Sequence, residues 1–206
     1  RDADEQQRFL QQMESEIDRL ADLVERVLEY GRAGQGKTAS REVVTDPGEL
    51  VEDVVEQFRD QLPTEAPLTV ETAQHFHPVV LDQEAVKGVV MNLLTNAQKY
   101  SPEGSPIEVT VGEESRQLYI RVRDHGSGIR RRELRRIFRP FQRGPHNSRI
   151  PGFGLGLAYC KQVATAHRGQ IRVWSRVGAG SAFTLEIPLS PGQTTEQGNG
   201  EEPAGS

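Results

Sequence analysis

The sequence has one cysteine, no long apolar run and no excess of positive charge. A lone Cys160 excludes an internal disulfide and a multi-thiolate zinc site, and its apolar surroundings favour a core position. No stretch approaches the roughly 20 apolar residues that span a bilayer. The formal net charge of −5 gives no global basic field, so we expect no nucleic-acid partner. We therefore expect a soluble chain whose anion binding is local.

Four segments differ in composition. Residues 1–31 predict a heptad helix, although a generic coiled-coil or bundle helix fits equally well. Its apolar positions alternate in spacings of three and four: Leu10, Met13, Ile17, Leu20, Val24 and Val27. Residues 32–40 favour a linker, residues 41–190 a folded domain, and residues 191–206 a disordered tail without large apolar side chains. Because the chain starts inside a charged helical pattern without Met, we interpret it as a piece of a longer protein.

Strand and helix signals alternate along residues 41–190. Asp46 predicts the N-cap of one helix, and a second helix should begin at Asp82. The predicted strands are REVVT, LTVET, PVVLD and two hairpins, at 107–124 and 170–189. Between the hairpins we expect a glycine turn, an Arg-rich helix, a loop and a helix from about Gly154 to His167. This order predicts an α+β fold, an α/β sandwich whose helices cover one face of a mixed sheet.

The second helix carries polar side chains with helical spacing. Asn92, Asn96 and Lys99 follow the spacing i, i+4, i+7 and so share one helix face. The two carboxamides can hold a hydrated Mg²⁺ ion, and the ammonium group can contact polyphosphate. A polar helix face is also ordinary solvated surface, so this pattern alone leaves both interpretations open.

Asp124 ends a predicted strand and is followed by Gly126 and Gly128. The glycines permit a tight turn and close approach to a ligand, and the carboxylate can accept a hydrogen bond from an exocyclic amine. A second set of glycines precedes a helix, where free backbone N–H groups favour phosphate: Gly152, Gly154 and Gly156. This set is neither a P-loop nor a Rossmann turn, because the residues that should follow are missing.

A candidate lid lies between these two glycine segments. Phe138 and Phe141 flank Pro140, and a loop rich in Gly, Pro, Asn and Ser continues to Pro151. The arginines around this segment could suggest a nucleic-acid patch, but neither interleaved aromatic residues nor net basic charge supports that interpretation.

Four motifs in this order resemble a known family. NLLTNAQKY, DHGSGI, FRPFQRG and GFGLGLA are similar to the N box, first glycine box, F box and second glycine box of sensor histidine kinases in the GHKL ATPase superfamily. The resemblance runs from about Glu42 to Leu189 and implies a Bergerat-type fold that binds Mg-ATP. The heptad helix resembles the second helix of the dimerisation and histidine-phosphotransfer hairpin.

The resemblance also implies roles for single residues. Asn96, with help from Asn92, would hold Mg²⁺, and Lys99 would contact phosphate, so that Asn96 and Lys99 take part in catalysis. Tyr100 would pack near the ribose or base, and Asp124 would receive the adenine amino group. The other implied ATP-binding positions are Gly126, Gly128, Ile129, Phe138, Arg143, Gly152, Gly154, Leu155, Gly156, Leu157 and Ser181.

The acceptor of the family is a histidine followed by Glu or Asp and a short R-x-P segment, and none of the five histidines has this context. The chain would therefore transfer phosphate to a histidine outside it, which would then phosphorylate a response regulator. Implied partners are the phosphotransfer hairpin, a homodimer partner and a receiver domain. A cytoplasmic location follows by analogy, with a membrane contacted only through other regions.

Other proteins with this fold hydrolyse ATP. In gyrase, MutL and ninety-kilodalton heat-shock chaperones a Glu occupies the position of Asn92. A carboxamide lacks the basicity of that Glu, so we expect poor ATP hydrolysis by this chain.

Two other functions stay open. An anti-sigma-type protein-serine kinase shares the fold but normally lacks a preceding heptad helix. A nucleotide-binding pseudokinase or interaction module is the remaining alternative, because the acceptor is missing.

Overall fold

The computed structural model describes residues 13, 24, 27, 28, 31, 42–60, 62, 67–73, 75–77, 79–142 and 153–189. Its elements are β1 (Glu42–Thr45), α1 (Pro47–Arg59), β2 (Leu68–Thr72), β3 (Val79–Asp82), α2 (Gln83–Tyr100), β4 (Ile107–Glu114), β5 (Gln117–Asp124), α3 (Gly156–Ala166), β6 (Gln170–Ser175) and β7 (Ser181–Pro188). The described residues of the predicted heptad helix are helical, and their large apolar side chains are exposed. The predicted linker and tail lie outside the described residues.

The main sheet has five strands in the order β2-β4-β5-β7-β6. Strand β2 runs parallel to β4, and the other neighbours are antiparallel, which confirms the predicted mixed sheet. Strands β1 and β3 form a separate two-stranded antiparallel sheet that the sequence did not predict. The register places Asp124 of β5 opposite Ser181 of β7, so the last residue of β5 meets the first residue of its neighbour in the sheet.

Side chains of Asp residues cap both α1 and α2; Asp46 was predicted as a cap, whereas Asp82, predicted as the first residue of its helix, lies just before it. Asp46 Oδ1 accepts hydrogen bonds from the backbone of Gly48 and Glu49 at 2.7 and 3.2 Å, and Asp82 Oδ1 accepts one from Ala85 N at 3.0 Å. These bonds satisfy N–H groups that a helix leaves without partners in its first turn. The caps therefore fix where α1 and α2 begin.

One apolar core lies between the three helices and one face of the main sheet. Its largest fully buried side chains include Phe58, Leu81, Leu93, Leu94, Ile107, Leu118, Ile120 and Leu185. Cys160 is part of this core, as predicted, and burial raises the pKa of its thiol to about 12. On the opposite face β5 presents Arg121 and Arg123, which are exposed. Within the described part of the chain, the helices thus cover one face of the sheet, as expected for the sandwich.

The predicted Arg-rich helix between the hairpins is wrong. Residues 131–138 form consecutive turns. Most of the bonds span three residues, such as Glu133 N to Arg130 O and Arg136 N to Glu133 O, both at 2.8 Å. Closely spaced arginines repel each other, and Pro140 stops any continuation, so the segment gains little from helical bonding.

Within the described ranges no helix is long and apolar enough to cross a membrane.

Candidate functional site

Asp124 lies at the end of β5 and is buried, with 5% of its surface exposed. Its Oδ1 accepts hydrogen bonds from Gly126 N at 2.9 Å and from Ser181 N at 3.1 Å. Burial raises the pKa of Asp124, while the bonds from Gly126 and Ser181 and the charge of His125 oppose that rise. A buried carboxylate held in this way is a strong and fixed hydrogen-bond acceptor.

The segment from Asp124 to Ile129, which we call the glycine turn, passes directly against the end of α2. Ser127 N donates to Tyr100 O at 3.2 Å. A side chain at position 126 would overlap that same carbonyl oxygen, so only glycine permits this approach. The first glycine box is thereby joined to the last residue of the N box.

The other side of the glycine turn contacts the connection between β6 and β7. Gly128 has a φ of +69°, and a side chain there would overlap the carbonyl oxygen of Arg176. Ile129 N donates to Ser175 Oγ at 2.7 Å, and Gly178 N donates to Ser127 O at 2.9 Å. The glycine turn is therefore fixed by backbone contacts on both sides.

Helix α2 brings the predicted polar residues to one face beside this turn. Asn92 and Asn96 are half-buried, whereas Lys99 and Tyr100 are exposed. Asn92 Nδ2 donates to Gly88 O at 2.9 Å, which leaves its oxygen directed at α3. A Cβ at position 156 would lie 2.5 Å from Asn92 Oδ1, so the N box and the second glycine box are in close contact.

Helix α3 begins after Leu155, which is buried, and no side chain caps this end within the described part of the chain. Gly154 O accepts a hydrogen bond from Phe141 N at 3.0 Å, which links the F box to the second glycine box. Backbone N–H groups at an uncapped helix start favour an anion. Phe138 and Leu157 pack partly buried against the core. Arg143 and Gly152 lie outside the described residues.

Ser181 is buried beneath the glycine turn, where its backbone bonds Asp124 and its Oγ lies 3.0 Å from Ser175 Oγ. Its backbone N–H group therefore helps to hold the Asp124 carboxylate in place. Ser175, which no sequence motif indicated, also contributes here, since its hydroxyl donates to Gly180 O at 3.0 Å. The β6–β7 register could have indicated it, since Ser175 pairs with Ser181.

The four described histidines occupy different settings. His167 is buried, accepts a bond from Asp82 N at 3.0 Å through Nε2, and donates from Nδ1 to Val163 O at 2.8 Å. Both ring nitrogens are engaged, so His167 has a structural role. His77 and His125 each contact a glutamate at 2.8 Å, and His75 is exposed. His146 lies outside the described residues.

The donor set of this region fits a magnesium-bound adenine nucleotide. Asp124 supplies an acceptor for an amino group, Asn92 and Asn96 supply oxygen ligands of the kind Mg²⁺ takes, and the start of α3 supplies N–H groups for phosphate. In the described residues no three or more His, Cys, Asp or Glu side chains form a metal cluster.

Residues 81–191 match the family described as histidine kinase-, DNA gyrase B-, and HSP90-like ATPase. Sensor-like histidine kinase SenX3 of Mycolicibacterium smegmatis is 31% identical over 192 residues, covering 92% of this chain and 50% of the relative. Adaptive-response sensory kinase SasA of Synechococcus elongatus is 32% identical over 188 residues, covering 86% and 46%. A solved mycobacterial sensor histidine kinase, MprB, has a TM-score of 0.62 and 28% identity, covering 71% of this chain and 97% of that one. The chain spans about half the length of the curated relatives it matches.

Proposed function

The chain belongs to the family of histidine kinase-, DNA gyrase B- and HSP90-like ATPases, and from this premise we propose that residues 41–190 are the catalytic ATP-binding domain of a sensor histidine kinase. The observation that carries the proposal is the buried Asp124 carboxylate, fixed by the glycine turn and by Ser181. Such an acceptor suits the amino group of adenine.

The base would lie against the glycine turn. Both backbone bonds to Asp124 go to Oδ1, so Oδ2 is the oxygen proposed to accept from the adenine amino group. Tyr100, at the end of α2 and exposed beside the turn, would pack near the ribose or base. Gly126, Gly128 and Ile129 would shape the walls of this pocket.

The phosphates would lie between α2 and the start of α3. Asn96 and Asn92 would hold Mg²⁺, and Lys99 would contact phosphate as a point charge. A bound Mg²⁺ ion would neutralise charge on the transferring phosphoryl group. The backbone N–H groups from Leu155 to Leu157 would bind phosphate oxygens, since no side chain competes for them among the described residues.

Transfer to a protein nucleophile is favoured over hydrolysis of ATP. Position 92 carries a carboxamide whose nitrogen already donates to Gly88 O. A carboxamide is too weak a base to take a proton from water, so it would position magnesium without activating a water molecule. The γ-phosphate would then pass to a histidine that the bound ATP reaches in the full-length protein.

We propose further that the acceptor lies outside this chain, in a phosphotransfer hairpin whose second helix corresponds to residues 1–31. The partners would be that hairpin, a homodimer partner and the receiver domain of a response regulator. The cell compartment would be the cytoplasm, with membrane attachment only through other parts of the full-length protein.

The test is transfer of phosphate from γ-labelled ATP. The chain alone should bind Mg-ATP but form no acid-labile phosphohistidine, and addition of the separately expressed phosphotransfer hairpin should give a labelled hairpin. Rapid phosphorylation of a histidine in the chain itself would contradict the proposed acceptor. Absence of transfer by a chain that binds Mg-ATP would favour a nucleotide-binding pseudokinase instead, and labelled serine would favour an anti-sigma-type kinase.

A further inference from the structure

His125 follows Asp124 just past the end of β5, and its ring contacts Glu108, whose paired residue Arg123 is exposed whereas Asp124 is buried. Its Nε2 lies 2.8 Å from Glu108 Oε1 on β4. Asp124 makes its bonds to Gly126 and Ser181 on the buried side. The glycine turn is therefore attached to the sheet from both faces at its first two residues.

We propose that His125 is a positioning residue for nucleotide binding, whose ion pair with Glu108 holds the glycine turn so that the Asp124 carboxylate faces the base. This inference rests on the proposed function, since it concerns the same nucleotide site. It adds two residues, His125 and Glu108, that no motif of the sequence analysis assigned to binding.

Glu108 is itself held in place. Arg123 Nη1 lies 3.3 Å from Glu108 Oε2, and the β4–β5 register pairs these two residues directly. The carboxylate therefore binds Arg123 with one oxygen and His125 with the other. A fixed partner lets the His125 contact restrain the turn, since less side-chain freedom is lost when the pair forms.

The charge of His125 has a second effect at the same site. Burial raises the pKa of Asp124, and a protonated His125 opposes that rise. Charged groups near His125 include Glu108 from β4 and Arg123 and Asp124 from β5, and Glu71 of β2 lines the same surface depression as Glu108. Strand β7 contributes the uncharged Ser181 and Ala182 at the paired positions. Protonated His125 thus favours the ionised form of the proposed base acceptor.

The chain contains a matched control. His77 Nδ1 lies 2.8 Å from Glu113 Oε2, the same pair of groups at the same separation. Glu113 pairs with Leu118 at one end of the β4–β5 hairpin, whereas Asp124 pairs with Ile107 at the other end. Loss of the His77 contact should therefore leave the glycine turn unchanged.

The experiment is competition titration of Mg-ATP against a fluorescent ATP analogue, with circular dichroism to confirm folding. The pair is partly exposed, with 35% and 41% of the two side chains accessible, so we expect His125→Ala and Glu108→Ala each to weaken binding about two- to fivefold. The double variant should bind Mg-ATP no more weakly than the weaker-binding single variant, because the two substitutions remove the same contact. His125→Gln, which can still donate to Glu108, should lie between wild type and His125→Ala, and His77→Ala should match wild type.

Rescue by His125→Gln separates positioning from a general structural effect, because the glutamine amide keeps a donor for Glu108 whereas alanine does not. Equal affinity of wild type and His125→Ala, additive losses in the double variant, or an equal loss in His77→Ala would overturn the inference. Failure of the wild-type protein to bind Mg-ATP would overturn the proposed function instead. That result is seen before any variant is measured, so the two outcomes are distinguishable.

Discussion

The glycine turn and the start of α3 are both glycine-containing segments of the proposed site, but different groups support them. At positions 126 and 128 the neighbouring atoms are backbone carbonyls of Tyr100 and Arg176. At position 156 the neighbouring atom is Oδ1 of Asn92, the end of a side chain. Backbone cannot move without its element, whereas a side chain can rotate. The proposed base end is therefore preorganised, whereas Gly156, at the proposed phosphate end, faces a side chain that can adapt to a ligand.

The largest effect that this comparison predicts is for Gly128→Ala. The new side chain would overlap Arg176 O, and a φ of +69° is unfavourable for alanine. We expect the free energy of unfolding to fall by about 2–5 kcal/mol, the sum of overpacking and backbone strain, with loss of Mg-ATP binding. Urea denaturation measures this change.

Gly104→Ala is the control for backbone strain alone. Gly104 has a φ of +76°, but a Cβ there would meet no atom within 4 Å. The free energy of unfolding of Gly104→Ala should fall by only about 1–2 kcal/mol. Equal destabilisation by the two substitutions would mean that backbone crowding does not fix the glycine turn.

Asp124→Asn should have the next largest effect, which we expect on nucleotide binding. The new carboxamide oxygen can keep the bonds from Gly126 and Ser181, but its nitrogen would face the adenine amino group, donor against donor. We expect ATP affinity to fall about 10- to 150-fold, corresponding to about 1.5–3 kcal/mol for a hydrogen bond to a charged group. Competition titration with ATP and GTP measures this, and GTP, whose carbonyl at that position can accept from the new amide nitrogen, should not lose affinity. Unchanged ATP affinity in a folded variant would show that Asp124 does not bind the base.

Gly156→Ala tests the adaptable end and should have a smaller effect. The displaced atom belongs to the Asn92 side chain, which can shift, and alanine favours a helix more than glycine does. We expect stability to change by about 1 kcal/mol or less in either direction, and Mg-ATP affinity to fall about fivefold as Asn92 moves. A stability loss as large as that of Gly128→Ala would remove the distinction between the two segments.

Local signals predicted much of the fold. Alternating apolar residues identified β4, β5 and β7, and Asp46 was predicted to cap the start of α1 because a cap depends only on the next three residues. The Arg-rich segment was misassigned, since residues 131–138 have helix-forming composition but form turns. There, repulsion between arginines and the following proline outweigh propensity.

Contacts between distant segments could not be predicted from the sequence. The separate β1–β3 sheet and the parallel pairing of β2 with β4 depend on which strands meet after folding. Glu108 and His125 are 17 positions apart, and only the hairpin register brings them within 2.8 Å. Motif resemblance predicted Asp124 and the glycines as site residues, and those roles stay predictions. The groups that hold Asp124 required the structure.

The smallest predicted effect concerns the charge at the preorganised end. Burial raises the pKa of Asp124 above its ordinary value of 3.8, so folding favours the protonated carboxyl group. That contribution to stability is fully present below 3.8 and is lost as pH rises through the raised pKa. Asn92 and Gly156, at the adaptable end, do not titrate. Asp124→Asn removes the titrating group, so the wild type should lose stability relative to this variant as pH increases from 4 towards neutrality, and comparison of the two proteins cancels the titration of all other groups. Urea denaturation of both proteins across this range measures the difference, and saturating Mg-ATP at neutral pH should reverse it, because the ionised carboxylate then has the adenine amino group as a partner. A wild type that gains stability over the variant as pH rises, without nucleotide, would mean that the bonds from Gly126 and Ser181 outweigh burial and that the carboxylate is stable without a ligand.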